Sequence, residues 1–104
     1  MIADELLGPI KSALAEAFGE RLEGVVLYGS EARGEARPDS DIDLLVLLTA
    51  VDHYAADLRT AIEAVYPLST QLGRQISIML APADKYEAVE CPLYRAARRE
   101  GVRA

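Results

Sequence analysis

Cysteine, histidine and basic residues are all scarce in this chain, and each scarcity removes a class of function. Cys91 is the single cysteine, so no intrachain disulfide can form, which fits a reducing cytoplasm. His53 is the single histidine. With no histidine or cysteine close to it in sequence it lacks the companions of a metal-ligand set, and it reads as a solvated or capping residue at a helix start. The 11 Lys and Arg are outnumbered by 17 Asp and Glu, for a net charge of −6. A chain of that balance lacks the electrostatic footprint of a DNA or RNA binder, so direct nucleic-acid contact is not expected, and the acidity favours a basic protein partner. No apolar run approaches the length of about 18 residues that would span a membrane, and no basic segment leads into an apolar stretch near Met1. Neither membrane insertion nor secretion is expected, and the expected location is the cytoplasm.

What is present is ordinary for a folded protein: 104 residues, 51% hydrophobic and 27% charged. That length suits one domain, residues 1–104, with a modest core. The stretch from Leu27 to Val46 organises it. An apolar run, Val25 to Tyr28, ends at Gly29-Ser30; a second, Leu44 to Leu48, follows Asp41-Ile42-Asp43. Alternate residues of a strand share a face, so Asp41 and Asp43 are expected to point together, roughly 6–7 Å apart. Like charges so placed repel unless a cation sits between them, and a hard ion with oxygen ligands such as Mg²⁺ suits them. Gly29 lets backbone approach an anion closely. Ser30 supplies a hydroxyl and leads a short helical turn through Glu31-Ala32-Arg33, whose first N–H groups favour phosphate. Arg33 is placed to reach a phosphate or to pair with Asp39 or Asp41. Ser40 reads as a local backbone hydrogen-bonder.

Around this stretch the pattern predicts helices and strands in mixed order. Leu6, Ile10, Leu14 and Phe18 recur every four positions, a helix over residues 1–20 whose regular part begins near Pro9, with Arg21 to Gly24 as its connection to the first strand. Ile42 to Thr49 shows almost no alternation and reads as a central strand covered on both sides. Asp52 is the expected cap of a helix carrying Tyr54, Leu58, Ala61, Ile62 and Val65 inward, stopped or kinked at Pro67 and ended at Gly73. Gln75 to Leu80 is a third strand. Asp84-x-x-Glu87 resembles a capping box opening a short helix, and Pro92 starts a last one over Leu93 to Arg99 with Gly101 as its stop. Its basic face, Arg95, Arg98 and Arg99, either complements the helix end or docks a partner. The tyrosines at 54, 66, 86 and 94 are spaced as packing residues.

The text Tyr-Gly-Ser-Glu-Ala-Arg-Gly-Glu-Ala-Arg-Pro-Asp-Ser-Asp-Ile-Asp, residues 28–43, resembles the signature of the DNA polymerase β-type nucleotidyltransferases, and most closely their minimal (MNT) branch. The resemblance implies a small α/β (α+β) fold with a mixed sheet flanked by helices, like the catalytic palm of that superfamily. It implies Gly29, Ser30 and Arg33 on the phosphates of a nucleotide, Asp41 and Asp43 as catalytic metal ligands, Mg²⁺ as cofactor and ATP as substrate. Members of the branch are commonly antitoxins encoded beside HEPN-domain toxins, so the implied reaction is transfer of AMP to a tyrosine or other hydroxyl of a HEPN-type toxin, neutralising it. Full members carry a third carboxylate on a later strand; the matching position here is Ser77, and a serine hydroxyl is neither a good metal ligand nor a base near neutral pH. Two other readings follow: an antitoxin of the same shape that acts by contact alone, and an enzyme modifying a small molecule, with homo- or hetero-oligomers left open.

Overall fold

Five consecutive apolar residues, Leu44 to Leu48, are all buried, because their strand lies inside a sheet that has helices on both faces. The computed structural model describes residues 3–35, 37, 40–88 and 90–104. Its elements are α1 (Ala3–Phe18), a 3₁₀ turn (Gly19–Arg21), β1 (Leu22–Tyr28), β2 (Ile42–Leu48), α2 (Tyr54–Leu72), β3 (Ile76–Pro82), α3 (Ala83–Glu87), α4 (Pro92–Glu100) and β4 (Val102–Arg103). The sheet order is β3-β2-β1-β4. β1 runs antiparallel to β2 and to β4, while β2 and β3 are parallel. The mixed sheet expected from the sequence is the sheet found.

Alternation along the strands divides the apolar residues between two cores. Val25, Leu27, Ile42, Leu44, Val46, Leu48, Ile76 and Leu80 pack against Leu6, Leu7, Ile10 and Leu14 of α1 and Ala61 and Val65 of α2. Val26, Leu45, Leu47 and Ala81 pack on the opposite face against Tyr86 of α3 and Ala97 of α4, with Tyr28 and Tyr94 at the margin. Tyr86 and Tyr94 meet edge to face, centroids 5.9 Å apart, a favoured geometry for aromatic pairs.

The structure corrects several local expectations. α1 runs straight through Gly8-Pro9 from Ala3, and α2 runs through Pro67 to Leu72. In each case the buried stripe outweighs the one hydrogen bond that proline cannot donate. Asp52 does not cap α2: His53 holds that position, with no side-chain capping bond. Nor does Asp84 open a capping box, since it lies inside the first turn of α3 behind Pro82. Pro92 does begin α4. Ile62, Tyr54 and Tyr66 are exposed at 46%, 44% and 67%, so the inner face of α2 is carried by Leu58, Ala61, Val65, Leu68 and Leu72 instead. β1 begins at Leu22, inside the expected connection. β4 has no counterpart in the sequence reading; its pairing with β1 closes with reciprocal bonds between Val25 and Ala104 (3.2 and 2.8 Å).

Candidate active site

One row of the sheet gathers the polar residues singled out in the sequence. Register places Tyr28 of β1 opposite Asp43 of β2, and Asp43 beside Ser77 of β3. Ile42 is fully buried on the α1/α2 side, so the alternation of an extended chain sends Asp41 and Asp43 to the other face. The two carboxylates share that face, as their spacing predicts. Ser77 joins them: its hydroxyl donates to Asp41 Oδ2 at 3.4 Å.

Gly29 brings the turn into the same place. Its φ is +75°, and a Cβ built on it would lie 2.5 Å from Asp43 Oδ2. Only glycine satisfies both the left-handed backbone and the close approach. From there the chain makes a tight turn rather than a helix. The Arg33 amide donates to the Gly29 carbonyl (3.2 Å), Gly34 to Glu31 (3.2 Å) and Glu35 to Ser30 (2.9 Å). Gly29 thus stands directly beside Asp43, and Ser30 follows it in the chain. Ser40 acts locally, its hydroxyl accepting the Arg37 amide at 2.9 Å.

The electrostatics are those of a site short of positive charge. Burial pushes the Asp43 carboxyl above its ordinary value, Asp41 pushes it further, and Arg33 pulls the other way. Burial also raises the Tyr28 phenol, followed by the charge of Asp43 and the nearby Tyr54. Arg33 is near enough to influence Asp43, yet its ion pairs are with Glu100 (3.3 Å) and Glu35 (3.4 Å), not with Asp41. Asp39, its other expected partner, lies outside the described residues. Two carboxylates that repel at short range suit a hard divalent ion. Among the described residues no cluster of three or more acidic, histidine or cysteine side chains forms a metal cage. Asp41 and Asp43 would hold a hard ion such as Mg²⁺ only in part, a donor set that fits an ion taking further oxygen ligands from a bound substrate. A surface groove of about 440 Å³, lined by Ile62, Val65, Tyr66, Ser69 and Arg74 among others, includes neither aspartate. The carboxylates stand on an open sheet face that needs no cavity to be reached.

Sequence reasoning missed Glu100 and Arg74. Glu100 holds Arg33 from the far end of α4. Arg74 contacts Glu31 and the Ser40 carbonyl on the two flanks of the site. The available signal was an arginine set directly after a helix-ending glycine, Gly73-Arg74.

Comparison with known proteins follows the same line. The family model described as nucleotidyltransferase domain matches residues 9–101. Among curated proteins no sequence match is found. A chain assigned as a minimal nucleotidyltransferase is 27% identical with TM-score 0.59, over 98% of this chain and 95% of that one. A chain from a toxin–antitoxin crystal structure with AMP-PNP is 19% identical with TM-score 0.62, over 90% of this chain and 68% of that one. Spectinomycin adenyltransferase AAD(9) from Enterococcus faecialis, solved with ATP and spectinomycin, is 18% identical with TM-score 0.64; the match covers 96% of this chain but 54% of that enzyme. The last two likenesses concern the fold. Among the described residues no helix is long and apolar enough to cross a membrane. With its mixed sheet, its glycine–serine turn beside paired aspartates, and a family match over most of its length, the chain belongs to the nucleotidyltransferase domain family.

Proposed function

We propose that this domain is a Mg²⁺-dependent nucleotidyltransferase that serves as an antitoxin, moving AMP from ATP to a tyrosine or other hydroxyl of a HEPN-type toxin. The observation that carries the reading is the convergence at Asp43: Gly29 approaches so closely that a Cβ there would meet Asp43 Oδ2 at 2.5 Å. The likeness to a toxin–antitoxin structure holding AMP-PNP supports the choice of nucleotide and setting.

In this reading Gly29 and Ser30 hold the triphosphate by backbone and hydroxyl, and Arg33 leaves Glu35 or Glu100 to meet a phosphate. Asp41 and Asp43 hold the ion, which when bound neutralises charge on the phosphates. The acceptor oxygen forms its bond to the α-phosphorus, the bond from that phosphorus to the bridging oxygen breaks, and pyrophosphate leaves. Full members of the family take the acceptor's proton with help from a third carboxylate; Ser77 cannot, so here the proton passes to solvent across the open face and turnover is slow.

Ser77 favours a second reading. With its hydroxyl on Asp41, the chain neutralises its partner by contact and retains the family shape without its catalysis. Intact-mass spectrometry of the protein with its genomic neighbour, Mg²⁺ and ATP separates the two. The enzyme adds a nucleotidyl mass to the neighbour, and Asp41→Ala or Asp43→Ala removes it. Tight binding without an adduct, together with protection of growth by the Asp→Ala forms, establishes the contact reading instead.

A further inference from the structure

Arg74 gathers segments that the sequence keeps apart. Its amide donates to the Ser69 carbonyl (3.3 Å) and that of Gly73 to Thr70 (3.2 Å), the paired bonds that close α2. Gly73 takes φ +65°, a left-handed step that turns the chain back toward the sheet. The Ser69 hydroxyl fixes the next peptide by donating to the Arg74 carbonyl at 2.6 Å. So anchored, the guanidinium reaches away from its own helix. Nε donates to the Ser40 carbonyl at 2.8 Å, and Nη2 meets Glu31 Oε1 at 2.5 Å.

Those partners flank the two halves of the site. Glu31 follows Ser30 directly, and Ser40 precedes Asp41 directly. The Arg74 and Glu31 side chains are only 13% and 11% exposed. Their facing atoms are shut off from solvent and make no other polar contact among the described residues. A Glu31 carboxylate so placed is left uncompensated when Arg74 is removed, unlike one on a solvated surface. An arginine that merely finished a helix would spend its side chain on the helix's own carbonyls. Here both contacts land elsewhere.

We propose that Arg74 is a positioning residue that sets the spacing between the Gly29–Ser30 turn and the strand entry at Asp41. It touches neither carboxylate; it acts through Glu31 on one side and the Ser40 backbone on the other. The planar fork matters, because one rigid group addresses two directions, which a lysine ammonium cannot do with the same geometry. The effect on nucleotide binding rests on the function proposed above; the spacing itself does not.

The test compares Arg74→Gln, Arg74→Lys, Glu31→Gln and the Glu31→Gln/Arg74→Gln double variant in the full chain. Amide hydrogen exchange without nucleotide gives the first readout. In Arg74→Gln, exchange in residues 29–35 and 40–42 should accelerate together by about tenfold or more, while the β1–β2 centre at Val26 and Leu45 stays protected. Acceleration confined to residues 69–75 would overturn the proposal. Should Arg74→Gln fail to fold, Arg74→Lys retains the charge and gives the same pattern at smaller amplitude. The second readout is the dissociation constant of Mg–ATP. It should rise about tenfold in each single Gln variant, with Lys between, and no further in the double variant, since the residues act as one unit. An unchanged constant beside a lowered melting temperature marks a merely structural role and overturns positioning. Coupled exchange in a wild type that binds no Mg–ATP upholds the spacing role and removes the nucleotide reading instead.

Discussion

On one face of the sheet α1 and α2 cover Val25, Leu27, Ile42, Leu44, Val46 and Leu48, all buried. On the other, α3 and α4 cover the part that holds Val26, Leu45 and Leu47. They leave Asp43 and Ser77 partly accessible and Met79 41% exposed. The same three strands therefore serve two ends by alternation alone. The closed face supplies the free energy of folding, and its surplus allows the open face to keep two like charges together. That arrangement separates stability from chemistry, so substitutions on the two faces should fail in different ways.

The largest effect is expected on the closed face. Leu44→Ala removes a fully buried side chain and should cost about 2–5 kcal/mol, a large share of what a domain this size has, read by denaturant unfolding. On the open face, Asp43→Ala should lower nucleotidyl transfer by about a hundredfold or more, comparable with loss of other groups that stabilise transition-state charge, while leaving the unfolding midpoint no lower than wild type. A midpoint that fell as far as that of Leu44→Ala would break the separation.

Two pH experiments sharpen it, with opposite signs. Asp43 has its folded pKa raised, chiefly by burial and then by Asp41. Its ionised form opposes folding at neutral pH, and the protein gains stability as pH falls through that raised value. Asp43→Asn should therefore be more stable than wild type near pH 7 without metal, with the advantage fading on acidification. Asp57, in the first turn of α2, behaves in reverse. Arg21 donates to both its oxygens, at 3.1 and 2.7 Å, and holds its carboxyl below the ordinary value. That contribution is complete above the ordinary carboxylate pKa and disappears as pH falls through the folded value. Arg21 is half-exposed, so Arg21→Ala should cost only about 0.5–1 kcal/mol at pH 7, and less once Asp57 is protonated in both forms.

What the sequence made legible was whatever repeats or sits close together. The unbroken Leu44–Leu48 run marked a doubly covered strand, and Asp41-x-Asp43 marked two side chains on one face, both from the strand's period of two. Gly29 was legible because only a few residues tolerate the conformation it takes. Pro9 and Pro67 misled because local propensity is a weak voice against a buried stripe several turns long. β4 escaped because two residues carry no period, and their place is fixed only by pairing with β1. Arg74 and Glu100 escaped for a related reason: each acts on a partner far away in the chain, and no spacing rule connects Glu31 with Arg74 or Arg33 with Glu100. The basic face of α4 proved partly local. Arg98 ties α4 to α3 through the Glu87 carbonyl at 2.8 Å, and Arg99 pairs with Glu100.

Ser77 also bears on how the domain fares when divalent ions run low. An acid at that position would crowd more negative charge against Asp43, which already resists ionising, and the polypeptide would then lean on its counter-ion to stay folded. A hydroxyl that donates to Asp41 adds no charge at all. Relative to a chain with an acid there, this one should lose less stability when a divalent ion is withdrawn.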